Sequence, residues 1–331
     1  MEKAIAVVVS YNRSKLLASC IDALRNQTRK PDAILVVNNG STDNTEAWLQ
    51  QQQDVFFITQ KNSGSGGGFN TGISWAFRHG YSWIWCMDDD GYPKEDALEK
   101  LLEHETRDRS LMNCAVLNKD DKRSFVWKTG NFKTIDEVDT AVIEGIGHPF
   151  NGTLLHRSII EKVGVPKTDM FLWGDETEYY YRIVKQHKYP VYTVASSIHY
   201  HPAAAFTLKK DWDHRTSWKM YFYIRNRLHV QQAKFSNRAV AMAHYGFFLI
   251  AFAAVIMVYQ KSDKAKKLSF MFWPAADAFT NNFSVTPPAI LYRLSSQPGI
   301  PGKSISGVMR NVWHAIQSPF TVQRSRNTAN V

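Results

Sequence analysis

Cysteine is scarce in this chain of 331 residues, which contains only Cys20, Cys86 and Cys114 and no Cys-x-x-Cys pair. This scarcity excludes a disulfide framework and a cysteine-rich zinc site, and it fits a reducing compartment. We also expect no N-terminal export signal, because Met-Glu-Lys leads directly into the strand-like run AIAVVV without a long apolar core. With 44% hydrophobic and 21% charged residues, the composition excludes a disordered chain. We therefore expect a folded, cytoplasmic protein.

Acidic residues are few in the last third of the chain. From Lys210 onward there are 16 lysines and arginines against four aspartates and no glutamate, whereas residues 1–209 have 24 basic and 26 acidic residues. A basic surplus indicates an anionic partner or a cationic face exposed to solvent. No nucleic-acid-binding motif accompanies the charge, so we expect no nucleic acid as a partner. The shift predicts two parts, residues 1–209 and a basic, mainly helical region 210–331.

Short apolar runs alternate with helical patterns through the N-terminal part. AIAVVV, AILVVN, VFFITQ and WIWCM each predict a buried strand, and helical patterns follow at 14–26 and from about 70 to 79. This alternation predicts an α/β fold with a mainly parallel sheet flanked by helices.

The expected carboxyl ends of these strands are all polar. They read Ser10-Tyr11-Asn12, Asn38-Asn39-Gly40-Ser41, Asn62-Ser63-Gly64 and Asp88-Asp89-Asp90. Because ligands bind beyond the carboxyl ends of parallel strands, we expect one site at this edge.

The three consecutive aspartates 88–90 are the strongest chemical signal. Buried carboxylates repel one another unless a cation balances them, and oxygen ligands suit Mg²⁺ or Mn²⁺. Alternation along an extended segment would direct Asp88 and Asp90 to one side and Asp89 to the other. An acidic surface turn is the alternative interpretation.

Three further segments carry weaker signals. The glycine-rich NSGSGGGFNTG at 62–72 matches neither the dinucleotide-binding nor the P-loop motif, which argues against a nicotinamide enzyme and a P-loop ATPase. Asp175 and Glu176 open a helical pattern after aromatic residues, and they are either a general base or acids placed for the helix dipole. His199 and His201 would share a strand face, and one of them could complete a metal site.

The order of these motifs resembles the inverting glycosyltransferases of family 2, which have the GT-A fold. The resemblance rests on VVVSYNR, VVNNGSTDNT, NSGSGGGFNTG, CMDDDGYP, FLWGDETEYYYR and a following histidine, and covers roughly residues 3–230. IWCMDDD, WGDETEY and SWKMYFYIRNRL are most similar to galactofuranosyltransferases, with rhamnosyltransferases of polysaccharide assembly as the near competitor.

The resemblance implies roles for individual residues. Asp88, Asp90 and a histidine would bind a divalent ion, with His199 preferred to His201. Glu176 would be the catalytic base and Asp175 would bind acceptor or sugar hydroxyls, although many members have Asp at the position of Glu176, which leaves Asp175 open as the base. The residues implied to bind the nucleotide sugar are Ser10, Tyr11, Arg13, Asn38, Asn62, Gly66, Gly67, Asp89 and Trp173.

The activity implied is a Mn²⁺- or Mg²⁺-dependent transfer of a sugar from a UDP-sugar, with UDP-galactofuranose preferred. The acceptor would be a hydroxyl of a glycan or lipid-linked glycan in the synthesis of a cell-surface polysaccharide such as O-antigen. The alternatives are a rhamnosyltransferase that uses dTDP-rhamnose and a catalytically silent carbohydrate-binding protein on the same fold.

Residues 239–260 contain no Asp, Glu, Lys or Arg and are nominally long enough to cross a bilayer. Because only nine of the 22 are Leu, Ile, Val or Phe, a buried or interfacial helix is preferred over a span. We expect a peripheral protein on the inner face of the cell membrane and leave a homo-oligomer open. The cations expected to face anionic headgroups are Arg225, Arg227, Lys261, Lys264, Lys266 and Lys267.

Overall fold

The computed structural model describes residues 2–104, 109–203, 208–214 and 217–295. The strands are β1 (Ala4–Ser10), β2 (Ala33–Asn38), β3 (Phe56–Thr59), β4 (Trp83–Asp88), β5 (Tyr92–Pro93), β6 (Leu111–Asn118), β7 (Ser124–Thr129), β8 (Phe132–Thr134), β9 (Val142–Glu144), β10 (Asn151–His156) and β11 (Val191–His201). The α-helices are α1 (Ser14–Arg25), α2 (Thr45–Leu49), α3 (Gly64–Arg78), α4 (Ala97–Leu102), α5 (Arg157–Val163), α6 (Asp175–Tyr181), α7 (Lys219–Lys234), α8 (Arg238–Tyr259), α9 (Lys264–Phe279) and α10 (Pro287–Ser295). A 3₁₀ turn at Ile135–Glu137 and a π-helical segment at Arg182–Gln186 complete the regular structure of these ranges.

The four apolar runs of the N-terminal part form β3-β2-β1-β4, which are parallel and adjacent in that order. Ser10 is paired with Asn38, and Val9 is paired with Asp88, so the polar strand ends lie at one edge of the sheet. The predicted α/β architecture is therefore confirmed.

The C-terminal half makes the sheet mixed rather than purely parallel. β10 lies between β4 and β6 and is antiparallel to both, whereas β11 is parallel to β6. The end of β11 also pairs with β5, where His199 is opposite Pro93. This pairing brings the histidine segment next to the turn at Asp88–Asp90.

Helices cover both faces of the sheet because neither side of β1 is polar. Ala4, Ala6 and Val8 pack in a core shared with α1 and α4, while the alternate residues pack in a core shared with α3 and α5. Helix α3 begins at Gly64, about two turns earlier than the predicted start near Asn70, so the glycine-rich segment is helical. A β-carbon at Gly68 would lie 2.5 Å from Val9 Cγ1, which shows that glycine permits this close packing.

Helices α7 to α10 form a separate apolar core, to which the loop at Phe171–Trp173 also contributes. The guanidinium of Arg225 is fully buried in this region, and Lys267 is buried with Nζ 2.8 Å from Asp211 Oδ1. The expectation that both cations face lipid headgroups is therefore wrong, because each is bound inside the protein. The exposed apolar side chains of α8 include Phe247, Ile250 and Val258.

Candidate active site

A cleft with a cavity volume of about 1620 Å³ opens at the carboxyl edge of the parallel strands. Its floor is the turn at Asp88–Asp90 and the start of α3. One wall is the segment 168–177, which includes the start of α6, and another is the segment 145–151. The first turns of α7 and the residues before α10 close the remaining side, so the C-terminal region is part of the cleft.

The aspartates at the end of β4 are joined to the first loop by a network of hydrogen bonds. Ser10 Oγ donates to Asp89 Oδ2 at 2.7 Å, and Arg13 Nη1 donates to Asp89 Oδ1 at 3.1 Å and to Asp90 Oδ2 at 2.6 Å. The predicted alternation, with Asp89 directed away from its neighbours, is wrong. β4 ends at Asp88 and the chain turns, so that Asp89 and Asp90 share one guanidinium.

The three carboxyl groups differ in proton affinity. Burial and the charges of Asp90 and Asp89 raise the pKa of Asp88 well above its usual value. Burial raises the pKa of Asp89 to about 6 despite its bonds to Ser10 and Arg13. Burial also opposes ionisation of Asp90, but His201 and Arg13 outweigh it and lower the pKa to about 2. The protein's own cations thus compensate the cluster only in part.

The two candidate histidines are in different environments. His201 lines the cleft, and its Nε2 lies 3.4 Å from Asp90 Oδ1. His199 is fully buried outside the cleft lining, and a β-carbon on Gly91 would lie 2.3 Å from its Nε2. The structure therefore places His201, and not the preferred His199, at the cleft surface, while both ring nitrogens of the buried His199 have no hydrogen-bond partner among the residues that the structure describes, so the choice between them stays a prediction.

The donor set at this turn fits a divalent cation. Asp90 Oδ1 is buried and accepts no hydrogen bond, and Asp88 carries a second carboxyl group nearby. Mg²⁺ commonly uses one or two carboxylates together with substrate phosphates. Within the described ranges no three His, Cys, Asp or Glu side chains are already gathered as a metal site. A cation would have to compete with Arg13 for Asp90.

The acid pair follows a backbone segment with unusual torsion angles. Phe171 and Trp173 have φ values of 66° and 57°, which non-glycine residues rarely adopt, and Gly174 has a φ of 117°. The chain then enters α6 with Asp175 and Glu176, and both residues line the cleft.

The two carboxyl groups of this pair are held differently. Asp175 is 1% exposed, accepts a 2.7 Å hydrogen bond from Ser65 Oγ, and has no partner at Oδ1. Burial and the adjacent Glu176 raise its pKa well above the usual value. Glu176 is only half-buried, and its Oε2 accepts a 3.1 Å hydrogen bond from the backbone N–H of Gly174. Glu176 is thus the acid that an incoming molecule can reach.

The other predicted nucleotide-sugar residues divide into two sets. Tyr11, Arg13, Asn62, Asp89 and Trp173 line the cleft. Ser10, Asn38, Gly66 and Gly67 are not among the cleft-lining residues.

The residues of the second set support the cleft from behind. Asn38 is fully buried and accepts a hydrogen bond from the backbone N–H of Ser41, while its neighbour Asn39 lines the cleft. A β-carbon at Gly66 would lie 2.6 Å from the carbonyl oxygen of Lys167, so glycine at this position serves close packing. The expected direct contacts of Asn38, Gly66 and Gly67 with a ligand do not agree with this packing.

Several cleft residues were not singled out in the sequence. The ring of Trp127 is 4.9 Å from that of His201, and Trp127 lines the cleft from β7. Lys219 lines it from α7, with Nζ 5.7 Å from the ring centroid of Trp173. The aromatic and basic motif SWKMYFYIRNRL was the available signal, but no spacing in it indicated that α7 returns to the cleft.

Comparison with known proteins agrees with this architecture. Residues 5–164 match the family described as Glycosyl transferase family 2. Galactofuranosyltransferase GlfT1 of Mycolicibacterium smegmatis is 31% identical over 223 residues, which cover 63% of this chain and 74% of that protein. The protein of the same name from Mycobacterium tuberculosis is 31% identical over 222 residues, covering 63% and 73%. The chain belongs to glycosyl transferase family 2.

A solved structure supports the fold independently of sequence. TarS of S. aureus superimposes with a TM-score of 0.51 at 12% identity, over 88% of this chain and 52% of TarS. This chain therefore spans about half the length of that structure. At this identity the likeness concerns the fold alone, which is that of the GT-A glycosyltransferases.

Proposed function

We propose that this family-2 glycosyltransferase moves a galactofuranosyl residue from UDP-galactofuranose to a hydroxyl of a glycan or lipid-linked glycan, with inversion at the anomeric carbon. The observation that carries the proposal is that one cleft contains both Asp88–Asp90 and the Asp175–Glu176 pair. The pKa of Asp88 is raised by burial and by the neighbouring aspartates, and also by the charge of Glu176. This effect of Glu176 supports the proximity of Asp88 and Glu176 in the cleft.

In this proposal, Glu176 is the general base. The acceptor oxygen forms a bond to the anomeric carbon, its proton passes to the Glu176 carboxylate, and the bond between the anomeric carbon and the nucleoside diphosphate breaks. A single displacement of this kind inverts the configuration. Both acids line the cleft, but Glu176 suits the role because its side chain is only half-buried, whereas Asp175 is 1% exposed and accepts a hydrogen bond from Ser65.

The leaving group is an anionic diphosphate, and the cleft offers cations for it. Arg13 and Lys219 both line the cleft. Asp88 and Asp90, with His201, would hold a divalent cation, which when bound would neutralise charge on the diphosphate. Tyr11 is 45% exposed at the cleft and could stack on the nucleobase.

The names of the two GlfT1 relatives support galactofuranose as the transferred sugar, because each is about 31% identical over most of its own length. The test is a donor panel of UDP-galactofuranose, UDP-galactopyranose, UDP-glucose and dTDP-rhamnose with a short galactan acceptor and MnCl₂. We expect nucleoside diphosphate release only with UDP-galactofuranose, and a β-linked product identified by NMR. Turnover with dTDP-rhamnose alone would instead assign a rhamnosyltransferase, and release from no donor would contradict a transferase.

We also propose that α8 binds the surface of an anionic lipid bilayer. Phe247, Ile250 and Val258 are 70%, 69% and 71% exposed, and only 22% of the most apolar stretch of α8 is buried. Lys261 and Lys266, just beyond the helix, are exposed cations. An apolar face next to exposed cations is typical of helices that lie in the interface of an anionic membrane.

Sedimentation with vesicles tests this partner. The protein should pellet with vesicles made with roughly 30% phosphatidylglycerol, an anionic lipid that attracts basic segments. Binding should weaken in 1 M NaCl because the Debye length falls to about 3 Å. The double variant Phe247→Asp/Ile250→Asp should lose binding, while Leu16→Asp, which alters an exposed leucine on α1, should retain it. Equal binding of both variants would contradict the assignment of α8.

A further inference from the structure

The loop before the acid pair is held from the C-terminal region by two adjacent side chains of α7. Asn226 Nδ2 donates to the carbonyl oxygens of Met170, Leu172 and Trp173 at 2.8, 2.9 and 3.2 Å. Arg225 Nη2 donates to the carbonyl oxygen of Met170 at 2.9 Å and to that of Asp169 at 3.1 Å. The two side chains thus bind four carbonyl oxygens, those of Asp169, Met170, Leu172 and Trp173, in a loop that forms no helix or strand.

Both side chains are buried and their orientation is determined by their neighbours. Arg225 Nε donates to Asn226 Oδ1 at 3.0 Å, so the amide must direct its NH₂ group toward the loop. The guanidinium lies 4.9 Å from the ring centroid of Phe222 and 4.8 Å from that of Phe283. Neither group has freedom to follow a displaced loop.

The loop requires such support because its backbone is strained. Left-handed conformations at non-glycine residues cost free energy and persist only where the surroundings hold them. Phe171 and Trp173 both have such conformations. From the opposite side, the backbone N–H of Gly66 donates to the carbonyl oxygen of Phe171 at 3.3 Å. The loop is therefore fixed between α3 and α7.

One peptide group connects this support to the proposed base. The carbonyl oxygen of Trp173 accepts a hydrogen bond from Asn226, and the N–H of the same peptide, on Gly174, donates to Glu176 Oε2 at 3.1 Å. A rotation of this peptide would move both partners together. We propose that Asn226, supported by Arg225, is a positioning residue that fixes the carboxylate of Glu176 through the Trp173–Gly174 peptide. The proposal rests on the proposed role of Glu176.

The test compares Asn226→Ala and the isosteric Asn226→Asp with Tyr245→Phe. Tyr245, in α8, is a matched control because its hydroxyl donates a buried 3.1 Å hydrogen bond to the carbonyl oxygen of Ile224, which belongs to α7 like Asn226 but not to the loop. We expect kcat at saturating substrates to fall about 100-fold in the Asn226 variants, since displacement of a catalytic group by about 1 Å can cost that much. UDP affinity by calorimetry should change less than twofold, and Tyr245→Phe should keep its kcat.

Hydrogen exchange provides a readout that does not depend on turnover. Amides of residues 169–178 should exchange at least tenfold faster in the Asn226 variants than in the wild type. Their exchange rates in Tyr245→Phe should equal those of the wild type. A kcat loss no larger than that of the control at similar melting temperature, or unchanged exchange in this segment, would overturn the inference. If the wild type itself has no transferase activity the proposed function fails, whereas an active wild type with insensitive Asn226 variants refutes only the positioning role.

Discussion

Replacement of Glu176 by glutamine tests the choice of base most directly. The substitution keeps the size of the side chain and an oxygen that can accept the hydrogen bond from the Gly174 N–H, so the start of α6 should remain in place. It removes the group that takes the acceptor's proton. General-base catalysis contributes about 10²- to 10⁴-fold, so kcat should fall by that factor, equivalent to about 3 to 5 kcal/mol in the barrier.

Asp175→Asn is the contrasting variant. Asp175 is enclosed, its pKa is raised by burial and by Glu176, and its Oδ2 accepts a hydrogen bond from Ser65. An asparagine can accept the same bond and removes a negative charge next to Glu176. We therefore expect Asp175→Asn to lose less than tenfold in kcat.

The assay measures nucleoside diphosphate release under saturating donor and acceptor, with UDP affinity and melting temperature recorded for each variant. Both variants should bind UDP as the wild type does. If Glu176→Gln retains more than a tenth of the turnover while Asp175→Asn is inactive, the base is Asp175 and our reasoning from exposure is refuted.

Three further predictions concern the metal, the core and acid stability. Chelation by EDTA should abolish turnover and MnCl₂ restore it, and Asp90→Asn should raise the Mn²⁺ concentration for half-maximal rate; unchanged metal dependence would remove Asp90 from the site. Gly68→Ala should destabilise the protein by about 1–3 kcal/mol in urea unfolding, because its β-carbon would lie 2.5 Å from Val9 Cγ1, whereas Gly246→Ala, with nothing within 4 Å, should be neutral or stabilising. The hydrogen bond from Lys267 lowers the pKa of Asp211 to about 2, below the value near 3.9 of the unfolded chain. The wild type should therefore be more stable than Asp211→Asn above about pH 4, and this difference should disappear as the pH falls toward 2. A difference in melting temperature that does not depend on pH would contradict this.

The sheet could be predicted because its signal is local. Runs such as AIAVVV and WIWCM have no polar alternation, so they had to be buried on both faces, and parallel pairing then brought their polar ends to one edge. The aspartates at 88–90 and the acid pair Asp175–Glu176 could be predicted for the same reason, because each directly follows a recognisable apolar or aromatic segment.

The errors came from contacts between segments distant in sequence. The helix was predicted to begin only near Asn70, after the glycines, but the close approach of α3 to β1 and to Lys167 makes glycine necessary inside the helix. The choice between His199 and His201 stays a prediction, because it depends on where β11 ends relative to β5, which no period in the sequence encodes. Arg225 was assigned to the surface from its charge, although aromatic rings and backbone carbonyls solvate it in the interior.

The division into residues 1–209 and 210–331 remains a prediction from charge, but the contacts give its second part a role in the first. Without α7, the carbonyl oxygens of Met170, Leu172 and Trp173 would lose the amide that binds them. The strained backbone at Phe171 and Trp173 would then be held only from the side of α3. Because Glu176 accepts a hydrogen bond from the N–H of the same Trp173–Gly174 peptide whose carbonyl oxygen Asn226 binds, the geometry of the proposed base depends on the basic region. The family model matches residues 5–164, so the acid pair and its support from α7 both lie beyond that match.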